Sequence, residues 1–333
     1  MKSISYTLRF WFKNARPQSL PQSVMPAILA LFLAYSNDGF SFPLAIFALF
    51  GVILGHLGLN LFDDYFDYKK KKSDYRDHLV HKGFRARIGK CVYLTDGSAN
   101  VKDLLLACCV ICGIALCIGG ILLYYRGVGI LYFMILTAIL GISYSGSPFR
   151  FSYRGLGELL IGVMFGPMTM LGTFYAACGI INMMIVLISI PVGLLVANIV
   201  YVHSILDFEP DKEIGKHTLA VLLNNKKWML VALFLILFTP YVIISLGVIL
   251  GYIPLLYLLL FITFPLAAYL FYMMVEFVKN PDHKFEPQKW MGPMANWERL
   301  QAIGIDWFMI RWYLARNLLS SFCFIIIILC IIL

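Results

Sequence analysis

Charged residues are scarce in this chain. Only 14% of its 333 residues are Asp, Glu, Lys or Arg, while 61% are hydrophobic. A soluble domain carries about 25% charge and about 45–50% apolar residues, so that class is excluded. A mean hydropathy of +0.82 makes this a polytopic membrane protein. A disulfide framework is also missing. Four of the eight cysteines, Cys108, Cys109, Cys112 and Cys117, fall within one apolar run, and Cys323 and Cys330 share another. With no charged companion, Cys108-Cys109-x-x-Cys112 reads as small apolar packing rather than metal or redox chemistry. The stretch from Met1 to Pro17 is basic and aromatic and offers no apolar core for a cleavable signal peptide, so none is expected.

Long apolar runs are what the chain does have. A bilayer-spanning helix needs about 20 such residues, and runs of that order occupy 19–36, 42–64, 103–125, 128–145, 156–178, 180–206, 228–250, 252–276 and 310–332. The expected fold is therefore an all-α membrane bundle of nine transmembrane helices. Threading it with the N-terminus inside puts Arg9, Lys13, Arg16, the run from Lys69 to Lys90, Arg150, Arg154, Lys212, Lys216, Lys226, Lys227 and the basic residues of 277–309 on one face. Only Arg126 falls clearly on the other. The positive-inside rule then predicts a cytoplasmic N-terminus. Topology explains the +9 net charge, and no nucleic-acid partner is implied. The long connections, 65–102, 207–227 and 277–309, share the basic face, which places the chemistry there. The last, with Trp290, Trp297 and Trp307, reads as an interfacial segment or as a lid.

The few acids are not scattered. Asn60-Leu-Phe-Asp63-Asp64-Tyr-Phe-Asp67 closes the second run, and Asp207-Phe-Glu-Pro-Asp211 closes the sixth. Carboxylates at that depth are costly unless paired and read as functional by default. Asp63 and Asp67, like Asp207 and Asp211, are spaced i, i+4 and share a helix face. Such pairs can hold Mg²⁺ while leaving positions for phosphate oxygens, and the absence of His and Cys from both clusters argues against zinc. The expected metal set is Asp63, Asp64, Asp67, Asp207 and Asp211. Ordinary loop-edge charge is the plainer alternative, but it ignores the repetition and the depth. Glu209, Asp74 and Asp77 divide evenly between site and solvated loop. A diphosphate on such a site needs further cations, and Arg150, Arg154 and Lys216 stand on the same face. The offset of four helices between the acidic motifs predicts two similar four-helix units plus a ninth helix, within one membrane domain over 1–333.

Three stretches together, Asn60-Leu-x-x-Asp64-Tyr-x-Asp67, Tyr153-Arg154-Gly155-Leu156-Gly157-Glu158 and Gly215-Lys216-x-Thr218-Leu219-Ala220-Val221, resemble the UbiA-type intramembrane aromatic prenyltransferases. The most similar branch is that of the dihydroxynaphthoate prenyltransferases of menaquinone biosynthesis. The resemblance implies Mg²⁺-dependent transfer of a polyprenyl group from its diphosphate to an aromatic acceptor, in the cytoplasmic membrane of a prokaryote. Asp64, Asp67, Asp207 and Asp211 would be catalytic, through metal. Asn60, Arg150, Arg154 and Lys216 would bind diphosphate, and membrane lipid would surround the tail. Tyr65, Tyr144 and Tyr153 are candidates to shield an allylic cation, and His56 and His203 to accept a proton. Each of these five also reads as ordinary packing or as a hydrogen-bonded interior residue.

The chain departs from the family pattern in several places, and its tail beyond residue 277 is also unusual for the branch. Asp63 stands where Asn is common, Lys71 where a further Asp is frequent, and His203, Ser204, Ile205 and Leu206 where many relatives carry an Asn pair and an Arg. Competing functions are prenyl transfer to another acceptor, intramembrane terpene cyclisation, and secondary transport. Transport fits poorly, because transporter sites lie near the midplane and these acids sit at helix ends.

Overall fold

The computed structural model describes residues 4–68 and 91–333. Lys71, Asp74 and Asp77 lie outside that range. Among the described residues the structure is helical, apart from a one-residue parallel bridge between Arg154 and His217. Lipid offers no partner for a free backbone N–H or C=O, so apolar runs of this length close their hydrogen bonds internally as helices.

Among the described residues, eight helices are long and apolar enough to cross a bilayer. A short helix, α1 (Ile4–Asn14), and the 15-residue α2 (Pro21–Tyr35) precede them. At 1.5 Å per residue α2 is about 22 Å long, short of the roughly 30 Å hydrocarbon core. Next come α3 (Phe42–Tyr68), a single turn α4 (Val92–Thr95), α5 (Val101–Arg126) and α6 (Val128–Ser145). The following span is interrupted. Helix α7 (Gly157–Val163) passes through a π-helical turn, Met164–Met168, into α8 (Thr169–Cys178). Pro167 lies inside that turn, where a missing N–H is best tolerated. Then follow α9 (Met183–Leu206), short α10 (Phe208–Glu213) and α11 (Leu219–Leu223), and α12 (Lys226–Ile249). A 3₁₀ run, Leu255–Thr263, leads into α13 (Phe264–Lys279), and α14 (Trp297–Ala302) and α15 (Asp306–Ile332) complete the chain. All of the long helices overlay apolar runs read from the sequence, with ends shifted by a few residues.

Helix starts follow local chemistry. Asn100 and Asp103 form a reciprocal capping box at α5. Asn182 caps α9 by accepting from the Ile185 N–H at 3.0 Å, and Asn225 caps α12 by accepting from the Lys227 N–H at 2.9 Å.

The chain divides into two compact units. The first comprises Met1–Phe151 and Met168–Ile180, the second Ser152–Pro167 and Ile181–Leu333. In the first, α3 pairs most extensively with α5. Apolar side chains gain little by moving from lipid to protein, so such pairs depend on close contact. A Cβ at Gly58 would sit 2.5 Å from the Cys112 sulfur, whereas nothing lies within 4 Å at Gly55. Cys108 is buried among Leu57, Leu61 and Leu104, and all eight cysteines are free. Arg126 collects the carbonyls of Ala176 at 2.9 Å and Gly39 at 2.8 Å, and also that of Ala177. It ties the end of α8 to the turn after α2.

In the second unit α9 is the central helix, packed by α7, α12 and α15. Its crossing with the α7 span is a backbone contact: a Cβ at Gly166 would fall 2.3 Å from the Gly193 Cα. Helix α15 fastens the connection before it. Tyr313 donates to the Ala295 carbonyl at 3.1 Å, and Asn317 to those of Met291 at 2.9 Å and Pro293 at 3.1 Å. The fully buried Arg311 guanidinium lies over the rings of Phe277 at 5.1 Å and Phe285 at 5.3 Å. The connection is thus a packed cap on α13 and α15, with Trp290 half exposed at its surface.

Candidate functional site

The first acidic motif lies on the last two turns of α3. Asp64 is 2% exposed and Asp67 8%, so both need compensation for lost water. Asp64 accepts from the Tyr93 hydroxyl at 3.0 Å. Burial and then the Asp64 charge push the Tyr93 phenol well above its ordinary pKa, which keeps it a donor. Asp63 accepts from Ser145 Oγ at 2.5 Å.

Among the described residues, a cation that sequence reasoning passed over as a topology marker stands on these acids. Arg16 Nη2 lies 3.0 Å from Asp63 Oδ2 and 3.3 Å from Asp64 Oδ1. It also donates to the Asn60 carbonyl at 2.7 Å. Burial alone would lower the guanidinium's pKa, but the charges of Asp64 and Asp63 outweigh it and raise it overall. The turn that presents Arg16 is strained, with φ of 59° at a non-glycine residue. Its neighbours hold it there. Asn60 Nδ2 donates to the Ala15 carbonyl at 2.9 Å and to Ser19 Oγ at 3.0 Å, and Ser19 Oγ donates to the Arg16 carbonyl at 2.8 Å. His56, on the same helix, has both ring nitrogens engaged, by Ser23 Oγ at 2.6 Å and Ser19 Oγ at 3.2 Å. It is a hydrogen-bonded interior histidine. Tyr65 and Tyr144 are only partly buried.

The second motif bridges the end of α9 and α10. Asp207 is 0% exposed and Asp211 1%. His203 Nε2 lies 3.5 Å from Asp207 Oδ2, and Lys216 Nζ lies 3.8 Å from Asp211 Oδ2. The Lys216 N–H also bonds the Asp211 carbonyl at 2.8 Å. Glu209 points outward and is exposed. Sequence reasoning missed the organiser here. Glu158, 3% exposed, accepts from Ser204 Oγ at 2.6 Å and from the Leu219 N–H at 3.1 Å. Gly155, at φ +73°, donates its N–H to the His217 carbonyl. The stretches 153–158, 204–211 and 215–219 are therefore one built structure. Ser204, one of the departures from the family pattern, is the partner of Glu158. The position of Glu158 inside a motif that otherwise needed explaining was the signal available.

The cations divide between the units. Arg150 belongs to the first, with φ of 51°, and among the described residues its buried Nε has no hydrogen-bond partner. Arg154 belongs to the second unit and is exposed. Tyr153 beside it is partly buried. On α9, Asn198 is fully buried with neither amide atom hydrogen-bonded among the described residues.

Among the described residues no three His, Cys, Asp or Glu side chains group closely enough to hold a metal by themselves. Carboxylates in pairs suit Mg²⁺, which takes one or two carboxylates and completes its shell with water and phosphate oxygens.

The sequence model of the UbiA prenyltransferase family matches residues 23–297. The chain belongs to the UbiA prenyltransferase family. It is 29% identical over 63% of its length to the 1,4-dihydroxy-2-naphthoate octaprenyltransferase of Bacillus subtilis, covering 65% of that protein, just under two thirds. The Haemophilus influenzae protein of the same name is 28% identical, over 68% of this chain and 73% of the relative. Among solved structures, a digeranylgeranylglyceryl phosphate synthase superposes with a TM-score of 0.61 at 17% identity, covering 98% of this chain and 100% of the other. A UbiA homologue from Archaeoglobus fulgidus bound to GPP and Mg²⁺ gives 0.54 at 15% identity, over 95% and 99%. These two establish a shared fold, and the long apolar helices together with the family make the chain an integral membrane protein.

Proposed function

We propose that the chain transfers a polyprenyl group from its diphosphate to an aromatic acceptor, and that the acceptor is 1,4-dihydroxy-2-naphthoate in menaquinone biosynthesis. The observation that carries this reading is the burial of four carboxylates, Asp64, Asp67, Asp207 and Asp211, at helix ends of a UbiA-family chain. The names of the bacterial relatives support the acceptor. Asp64 and Asp67 would hold one Mg²⁺, and Asp207 and Asp211 a second. When bound, the metal offsets diphosphate charge and stabilises the leaving group as the allylic C–O bond breaks.

The chain's own residues do the rest. Lys216, Arg154 and Arg150 neutralise the remaining phosphate charge. Asn60, with its amide nitrogen on Ala15 and Ser19, contributes by holding the turn that presents Arg16. Asp63, with Ser145 and Arg16 on its carboxylate, supports its neighbours. Ring faces of Tyr65, Tyr144 and Tyr153 shield the cation, an electron-rich acceptor carbon attacks it, and loss of a proton or of the carboxyl group restores aromaticity.

The finer topology belongs to the same proposal: nine spans including α2, a cytoplasmic N-terminus in a prokaryotic inner membrane, and one domain of two related four-helix units plus α15. Incubation of detergent-purified protein with polyprenyl diphosphate, 1,4-dihydroxy-2-naphthoate and Mg²⁺, read by mass spectrometry, tests the reading. Prenylated naphthoquinol should form and should vanish in Asp64→Ala and Asp207→Ala. Turnover surviving both substitutions refutes the site. A prenylated product with a different ring, or a cyclised hydrocarbon, keeps the site and replaces the acceptor.

A further inference from the structure

We infer that Arg16 is a resident counter-cation of the first carboxylate pair, anchored on Asp63 and competing with a divalent ion for Asp64. The inference rests on the reading of Asp64 and Asp67 as metal ligands, and assigns Arg16 and Asp63 distinct duties beside them.

The geometry is asymmetric. Toward Asp63 the guanidinium makes a hydrogen bond at 3.0 Å. Toward Asp64 it makes a looser 3.3 Å ion pair. Asp63 Oδ1 is meanwhile taken by Ser145 Oγ at 2.5 Å, so both oxygens of Asp63 are engaged by protein donors. A carboxylate so held is an anchor. Asp64 has one oxygen on Tyr93 and the other against Arg16, and the Arg16 contact is the weaker of the two.

Arg16 is also built into place. Its left-handed backbone persists because Asn60 and Ser19 bind the carbonyls and hydroxyl of the 15–19 turn. Ala15, just before it, is fully buried, and Phe10 and Trp11 of α1 stack edge-on against Tyr93 at 6.1 and 5.8 Å. The arginine that faces Asp64 and the tyrosine that donates to Asp64 are thus packed as one body. Asp64 is buried and the Asp63 side chain is 11% exposed, and two adjacent carboxylates so placed repel without a cation. Arg16 supplies one before metal arrives, and the ion displaces it from Asp64 while Asp63 retains it. Asp63 is then a positioning residue rather than a metal ligand.

The test is Mn²⁺ binding, followed by electron paramagnetic resonance on the purified full chain in detergent with no prenyl diphosphate present. An opposite charge within about 4–6 Å shifts a carboxylate's proton affinity by one to three decades, and a competing cation acts on a metal in the same sense. Arg16→Gln should therefore tighten Mn²⁺ binding about tenfold or more, and Arg16→Lys, which keeps the charge, should leave it within about threefold of wild type. The double variant R16Q/D63N should bind as tightly as Arg16→Gln does, because the anchor is needed only while Arg16 is there. In the transfer assay Arg16→Gln should lower the half-saturating Mg²⁺ concentration. Weaker or unchanged Mn²⁺ binding in Arg16→Gln overturns the inference, as does a double variant that binds more weakly than Arg16→Gln, which would make Asp63 a ligand. Should Arg16→Gln fail to fold, the Arg16→Lys affinity and Asp63→Asn decide. With Arg16 unanchored onto Asp64, Asp63→Asn must weaken Mn²⁺ binding in the arginine background by more than in the lysine background. A wild-type chain that binds no Mn²⁺ overturns this inference together with the metal reading, whereas the variant results bear on this inference alone.

Discussion

Removing the Glu158 clamp should loosen the second acidic motif by a calculable amount. Glu158 is buried and accepts two hydrogen bonds, from Ser204 Oγ and the Leu219 N–H. A hydrogen bond to a charged group contributes about 1.5–3 kcal/mol. The two partners are not equal. Ser204 Oγ already lies 3.2 Å from the Val200 carbonyl, so in Glu158→Ala its hydroxyl falls back there at little cost. The Leu219 N–H, at the start of α11, loses its acceptor, and an orphaned buried donor costs about 1–3 kcal/mol. Glu158→Ala should therefore lower unfolding free energy by about 2–3 kcal/mol, and Ser204→Ala by about 1–2 kcal/mol. Because they share a hydrogen bond, the double variant should show a coupling of about 1–2 kcal/mol. Equilibrium unfolding in mixed detergent and denaturing micelles measures all three. Asp207 lies three residues after Ser204 and Lys216 three before Leu219, so Glu158→Gln should also raise the half-saturating prenyl diphosphate concentration more than it lowers kcat. Additive substitutions, with coupling below about 0.5 kcal/mol, would refute the idea that Glu158 and Ser204 act as a unit.

Two other outcomes follow from single residues. Arg126→Gln takes a guanidinium donor from three carbonyls, of which that of Ala177 keeps the Ser41 N–H at 2.9 Å, and should cost about 2–4 kcal/mol in the same unfolding measurement, while a change below about 0.5 kcal/mol would show that water replaces the arginine freely. Asn198→Leu removes a buried amide that has no hydrogen-bond partner among the described residues and should be neutral or stabilising by about 1 kcal/mol. A marked loss of stability or of transfer would show instead that the amide serves a ligand.

The departures from the family pattern look different once packed. Asp63 in place of Asn provides the second negative oxygen pair that a guanidinium needs, and Arg16 is on it. Ser204 finds Glu158, and His203 brings an imidazole to Asp207 from the helix where a cation was expected to be missing. The connection 277–309, read as interfacial segment or lid, is held by Tyr313, Asn317 and Arg316 on its carbonyls, which favours a fixed cap. Two glycines of α3 differ in their surroundings: a Cβ at Gly58 would collide with Cys112 while one at Gly55 would meet nothing within 4 Å.

What the sequence determined by itself was the helical membrane architecture and which acids stand at the ends of its long helices. Both follow from one-dimensional physics. A long apolar run in lipid has to satisfy its own backbone and so becomes a helix, and an acid at the end of such a run is too costly to be incidental. What only the tertiary structure decided was which group compensates each acid. Arg16 stands 47 residues before Asp63 and Glu158 46 before Ser204. In the sequence Arg16 is one more basic residue whose charge the topology already explains, and Glu158 one letter of a motif. Coulomb attraction and hydrogen bonding act over a few ångströms of space, and chain separation carries no record of that distance until the helices pack.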